Sequence, residues 1–393
     1  MRQLFSLTLS LLLTQLSFGQ VRDYWIRFYD TTTQLTGYKD LKGNIKIPLK
    51  FDNLTTADTF YNIIAVNEKI GDLYSPYYLL KNGRKVGKDS VFMFDFSYDC
   101  ESEGKILFKD KKKDRVGFFD RNGVVVIPAI YNGATPFRNG YAIALKNARR
   151  KCWDENEDTL NCEHLNWSGG ETLLINEKNV ILVDNVKSDL ANINWYSCKI
   201  NDTNIDTSIY VSIRGNQGNI YSFMDYEKEF TKWYHEIFLS AINPLNKGML
   251  KNLLFSEILC WTKKRGWTNL NSEKYLQELS GSITKQRFQA TEFKTVSIIS
   301  QDLNKYQFDK ELYRNFYNSC GIHNRDIFPL FDVMLTYYKK RIKKFKIPPP
   351  PGHKLEKWEI SAFDKKYEFD YQEHFEFIRT NDGYKFLSES LKN

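Results

Sequence analysis

The side chains able to do chemistry in this chain are few, and their spacing suits none of the common reactions. Among five histidines, His235-Glu236 looks most like a motif, but a zinc-protease helix carries a second histidine four positions after the first and position 239 is Leu. Its place beside Trp233 and Tyr234 suits a partly buried structural residue. Cys152, Cys162 and His164 offer three metal ligands, yet the spacing matches no zinc knuckle and no fourth ligand is evident. Cys320 and His323 have the types of a nucleophile and its base, but residues three apart at a helix end rarely align, and no oxyanion-binding element accompanies them. The basic run Lys339-Lys340-Arg341-Ile342-Lys343-Lys344-Phe345-Lys346 has the composition to touch anionic lipid, polysaccharide or an acidic partner. It equally reads as a solvated helix face. No catalytic residue, no metal site and no cofactor site follows from these residues.

The elements that would have to position such groups are organised as a repeat. Gly37, Tyr38, Asp40, Gly43, Ile45, Ile47, Pro48, Phe51 and Asp52 are answered 80 positions later by Gly117, Phe118, Asp120, Gly123, Val125, Ile127, Pro128, Tyr131 and Asn132. Tyr78 and Gly83 fall midway, so the unit is about 40 residues long, a period that marks stacked supersecondary units. In the copy over 116–147, Val116 to Asp120 reads as a strand, Arg121-Asn122-Gly123 as a turn and Val124 to Ile127 as a second strand ended by Pro128. Tyr141 to Leu145 makes a third. Worn fourth and fifth copies begin at Thr172 and Tyr210, turning at Glu177-Lys178-Asn179 and Gly215-Asn216-Gln217-Gly218. The frame residues Gly37, Asp40, Gly43, Pro48, Gly83, Gly117, Asp120, Gly123 and Pro128 are read as structural: glycines for positive φ, proline to end an edge strand.

The frame Gly117-Phe118-Phe119-Asp120-x-x-Gly123-x-Val125-x-Ile127-Pro128-x-x-Tyr131-Asn132 resembles the WG repeat of bacterial exported and surface-associated proteins, over about residues 30–225. The chain departs from that family at its naming residue, because Thr36 and Val116 stand where Trp usually precedes Gly. The resemblance implies β-rich modules with at most an interaction role, and it brings no catalytic residues.

Near residue 225 the period changes to that of helices. Tyr226, Phe230, Trp233, Ile237 and Ala241 share one helical face. Further helices are predicted around Met249–Ile258, from Asn271 or Ser272 through Ile283, around Leu312 and Phe316 up to Gly321, and from Leu330 to Phe345. Pro348 to Pro351 stop any helix. Trp358–Ile360, Tyr367–Phe369, His374–Ile378 and Tyr384–Leu387 then read as strands, the last pair joined at Asn381-Asp382-Gly383. Helices followed by an antiparallel sheet make an α+β domain. In that order it is similar to the NTF2-like cone.

Residues 1–19 read as a cleaved secretory signal: one early positive charge, a short apolar centre and small residues at Ser17 and Gly19. Their removal takes Arg2 alone among the charged residues, so the formal +8 becomes +7. The basic bias is mild and interspersed, which argues against a nucleic-acid partner. Export makes the six cysteines eligible for pairing. Cys152 and Cys162 are the best candidates, because they bracket the coreless stretch Trp153 to Asp158. Cys100 and Cys198 are equally readable as buried free thiols. Aromatics are 15% of the chain, enough to fill small β-units and still leave some exposed for gripping peptides or sugars.

The chain is therefore read as multidomain: a signal over 1–19, an all-β repeat array of short antiparallel hairpins over 20–224, and an α+β domain over 225–393. The expected function is that of a non-enzymatic protein of the periplasm or cell surface. It would present a β-repeat surface to a protein or glycan, bind no nucleic acid and hold no stable membrane insertion. The alternative is a small-ligand pocket or enzyme in the α+β domain, with the repeats as its docking arm.

Overall fold

The computed structural model describes residues 23–152, 162, 165–187, 190–243, 246–278, 280–340 and 367–392. The predicted signal, His164, Arg341 to Lys346, the prolines at 348–351 and the strand at Trp358–Ile360 lie outside them.

One turn recurs five times and defines the array. The residue closing each unit's first strand donates its N–H to the carbonyl four positions on, and its own carbonyl accepts the N–H three positions on. The pairs are Asp40/Asn44 and Gly43/Asp40, Leu80/Arg84 and Gly83/Leu80, Asp120/Val124 and Gly123/Asp120, Asn176/Val180 and Asn179/Asn176, and Gly215/Asn219 and Gly218/Gly215. The residue at the third place has positive φ in every copy, 89° at Gly43, 85° at Gly83, 67° at Gly123, 60° at Asn179 and 80° at Gly218. Only glycine and asparagine adopt this backbone cheaply, which is why they stand there. Asp40, Asp120 and Asn176 add a side-chain oxygen that accepts from two backbone N–H groups of the same turn.

The sheets are cut out of phase with the sequence units. Each unit supplies a first strand, a second strand and a later third strand. The third pairs with the first strand of the next unit: Ile63–Ile70 with Leu73–Leu80, Lys105–Asp110 with Arg115–Asp120, and Tyr141–Lys146 with Glu171–Asn176. Successive sheets are thereby tied by the chain itself. In the last sheet Ile193–Ile200 pairs with Ile220–Asp225 in place of Tyr210–Arg214, so the terminal unit departs from the pattern.

Two readings of the frame are corrected. Gly37 and Gly117 are not at positive φ, and Pro48 and Pro128 lie inside the strands Ile45–Phe51 and Val125–Tyr131 instead of ending them. The register explains both. Val116 faces Tyr131 and Phe118 faces Ile127, so extra residues bulge across from Gly117. A Cβ on Gly117 would sit 2.4 Å from the Ile127 carbonyl oxygen, and one on Gly37 2.6 Å from that of Ile47. Proline is tolerated in the bulge because its missing N–H interrupts no ladder bond there. At the positions usually held by Trp, Thr36 and Val116 are themselves buried.

The later region holds a few helices and a mixed six-stranded sheet in the order Gly266–Asn271, Leu254–Thr262, Gly383–Ser390, Tyr367–Thr380, Leu330–Lys340, Lys294–Gln301. All pairs are antiparallel except Leu254–Thr262 with Gly383–Ser390. The helix Tyr226–Trp233 is capped by Asp225, whose carboxylate accepts the N–H groups of Glu227 and Lys228. It continues through a π-helical turn, Tyr234–Phe238. That turn moves the buried face to Tyr226, Phe230, Tyr234, Phe238 and Ile242, and turns Ile237 outward.

The predicted helix from Leu330 is a strand, and Leu254–Thr262 takes over the end of another. Leu330, Met334 and Tyr337 have helical spacing, but Phe331, Val333 and Leu335 between them are buried, while Met334 and Tyr337 are only partly so. The run is a central strand covered on both faces, which periodicity alone does not separate from a helix. The predicted helix at Leu312 and Phe316 is a 3-10 turn, Glu311–Phe316.

Candidate functional site

The two regions are joined covalently. Cys100, in the array, pairs with Cys320, in a loop of the later region, with Cα atoms 5.7 Å apart and a sequence separation of 220. Cys100 is thus not a free thiol, and Cys320 is not available as a nucleophile. Around the disulfide, Thr59 N–H donates to the Ser319 carbonyl and the Ser319 hydroxyl to the Glu101 carbonyl. Arg138 meets Asp326 at 2.5 Å, and Asp58 binds both Arg27 and Lys305. Gly321 makes room for that bridge, since a Cβ there would fall 1.7 Å from an Asp58 oxygen.

Beside this joint the surfaces part into an open cleft of about 1370 Å³. One wall comes from the array through Tyr24, Tyr29, Arg121 and Tyr196, the other from the loop carrying Asp309 to Asn324. Tyr29 and Tyr196 are about half exposed. The carboxylates at its base are already committed: Glu101 accepts from the Asn62 and Ile63 N–H groups, and Glu103 from the Asn139 and Gly140 N–H groups and the Tyr196 hydroxyl. They hold the walls in shape.

A second group of polar residues lies inside the later region, where the sheet face opposite the π-helical turn is packed with Phe230, Phe238, Phe288, Phe375 and Phe377. Glu373 and Glu389 are buried among these rings. Arg287 grips both oxygens of Glu373, at 2.7 and 3.0 Å, and Tyr337 donates to one of them. Glu389 Oε2 accepts from the Tyr275 and Ser282 hydroxyls, while Oε1 has no hydrogen-bond partner. Burial pushes the Glu389 carboxyl up from 4.5 to about 7. On the opposite face His374 Nδ1 donates to the buried Asp332 carboxylate at 2.7 Å, and that bond raises the imidazole above its usual value.

The sequence offered one overlooked signal for this cluster. Glu373, Phe375 and Phe377 alternate along one strand and must share a face, so a carboxylate was due beside two buried rings. Glu389 carried no such cue, because a bulge shifts its strand's register between Glu376 and Phe377.

The other candidate residues are dispersed. His235 is exposed, contrary to the partly buried place read for it, and its ring packs edge-on to Tyr234. His323 is buried and bonded to the Phe328 carbonyl at 2.7 Å, a loop-fixing role. Cys152 and Cys162 form a disulfide with Cα atoms 5.8 Å apart. Cys198 and Cys260 are free. Among the described residues no group of three or more His, Cys, Asp or Glu is placed to hold a metal ion.

No curated protein matches the chain. A conserved protein from Planctomyces limnophilus is similar over 42% of this chain and 94% of its own, at 11% identity and a TM-score of 0.20. A putative Ca/calmodulin-dependent kinase II association domain from Exiguobacterium sibiricum is similar over 42% of this chain and 88% of its own, at 10% identity and a TM-score of 0.19. Residues 37–67 and 117–149 match the family model of the WG containing repeat.

Proposed function

We propose that this chain is an exported, non-enzymatic binding protein whose partner, a protein or a glycan, is held where the repeat array meets the α+β region. The observation that carries this reading is the covalent clamp Cys100–Cys320 at the edge of a wide polar cleft. A disulfide across two regions fixes the distance between two walls, which lowers the ordering cost of binding between them. Two disulfides in one chain support an oxidising compartment, in keeping with a secretory signal over residues 1–19. Among the described residues no helix is long and apolar enough to cross a membrane. For the later region we propose an NTF2-like cone, a reading supported by its helix-first order and six-stranded sheet.

The test is expression of the full chain in a bacterium with an oxidising periplasm. The expected product lacks residues 1–19, contains two disulfides by mass, and binds members of an immobilised glycan and peptide panel. Loss of that binding in a Cys100→Ser/Cys320→Ser variant that stays folded supports the clamp. A cytoplasmic, fully reduced and panel-silent protein would overturn the reading.

A second reading, a small-ligand site within the α+β region, is favoured by the orphaned Glu389 Oε1. The aromatic packing around it weighs the other way. A thermal-shift screen of amines and alcohols against the wild type and Glu389→Gln separates the two, because only the second reading predicts ligands that stabilise the wild type alone.

A further inference from the structure

We propose that the interdomain cleft takes a linear, uncharged oligosaccharide; this rests on the reading that the chain is a binding protein and the cleft its site. Three properties of the walls lead there. The first is size. At about 1370 Å³ the cleft exceeds the roughly 300–1,000 Å³ typical of small-molecule sites, and it is open, so it suits a chain of several rings that enters and leaves along its length.

The second is the kind of surface. Five tyrosines, Tyr24, Tyr29, Tyr61, Tyr196 and Tyr317, line it, while Ile26 and Ile327 are its only aliphatic residues. A peptide draws its affinity from anchors buried in apolar pockets or from a strand added to a free edge. The walls provide no aliphatic pocket of that kind. The wall strand Trp25–Asp30 pairs with Leu35–Lys39 on one side and, through Trp25 and Ile26, with Thr59–Phe60 on the other, which leaves only the short edge Phe28 to Asp30 open. Tyrosine faces offer flat, rigid, amphipathic contact area that suits the C–H faces of sugar rings.

The third is charge. The lining holds Arg27, Arg121, Lys305, Lys310 and Arg314 against Asp23, Asp58, Glu101, Glu103, Asp309 and Glu311, five cations against six carboxylates. Such a balance gives a nucleic acid or other polyanion no net attraction. Among the described residues the side chains of Arg121, Asp309, Asn315 and Asn324 have no hydrogen-bond or ion-pair partner, although all four line the cleft. They leave donors and acceptors of both kinds free, the mixture that hydroxyl groups satisfy.

The experiment uses the disulfide-bonded chain without residues 1–19. Linear hexamers of neutral hexoses and of N-acetylated hexosamines, a peptide library and single-stranded DNA are tested by calorimetry at low and high salt. The expected result is binding of at least one neutral hexamer, with a Kd that changes less than about threefold between 50 and 500 mM salt. Tyr29→Ala and Tyr196→Ala should each weaken that binding by roughly tenfold, consistent with loss of about 1.4 kcal/mol of ring contact. Tyr196→Phe should retain it, since the ring and not the hydroxyl supplies the contact. Both tyrosines are half exposed, so their removal leaves folding intact, which circular dichroism checks. Peptide binding lost in the same tyrosine variants would overturn the sugar assignment and leave the binding role standing. Steeply salt-dependent DNA binding would overturn the assignment too, and silence across all three classes would overturn both proposals.

Discussion

Replacing Glu389 by Gln converts a buried titratable group into one of the same shape that cannot ionise. Burial raises the carboxyl from 4.5 to about 7, so the folded state holds this proton more tightly than the unfolded chain does. The stability from that proton is fully present below pH 4.5 and is lost as pH rises through 7. A rise of that size corresponds to ~3 kcal/mol. With the side chain 1% exposed, solvent does little to screen it. Other groups titrate in the same range, Asp99 above all, whose buried carboxyl is raised to about 6. The informative quantity is therefore the difference between variant and wild type, in which the shared groups cancel. Urea unfolding at pH 4.5 and pH 8 should show Glu389→Gln gaining ~3 kcal/mol relative to wild type between the two. Any fixed cost of the amide's extra N–H donors appears equally at both. A difference independent of pH would refute the reasoning, and so would a carboxyl NMR titration of Glu389 with its midpoint near 4.5.

Arg287→Met leaves Glu373 buried without its cation and should cost ~3–5 kcal/mol, much of it recovered in Arg287→Met/Glu373→Leu, as a double-mutant cycle by urea unfolding would read. Gly117→Ala forces a Cβ to 2.4 Å from a carbonyl oxygen and should destabilise the array by more than about 2 kcal/mol, whereas Gly133→Ala, with open space around it, should change stability little. Opening Cys100–Cys320 frees a loop of 220 residues and should cost about 5 kcal/mol by chain entropy, against about 3 kcal/mol for Cys152–Cys162, which closes only 10. Scanning calorimetry of Cys100→Ser/Cys320→Ser and Cys152→Ser/Cys162→Ser compares the two. Asp120→Ala removes an acceptor from two turn N–H groups and should cost ~1 kcal/mol in the same assay.

The turns of the array were legible in the chain because each is decided by residues four apart. Gly43, Gly83, Gly123, Asn179 and Gly218 announce a left-handed backbone wherever they stand, and the aspartates and asparagine that brace three of these turns belong to the same few residues. The α+β region was less legible. Leu330 to Tyr337 carries a helix period inside an apolar run, and only the strands packed on either side decide that it pairs as a sheet. Gly37 and Gly117 could be seen as frame residues, but their reason, a bulge passing overhead, belongs to a partner strand.

Neither candidate site could be read from spacing. The cleft joins residues from Asp23 to Ile327, and the buried cluster joins Tyr275 and Arg287 to Glu373 and Glu389. Sequence by itself determined the repeat, its period, its turns and the change of architecture near residue 225, because those rest on local backbone preference and periodic burial. The tertiary structure alone decided the offset pairing of units, the Cys100–Cys320 joint and the polar groups it gathers. These depend on contacts across long stretches of chain, whose closure no local signal encodes.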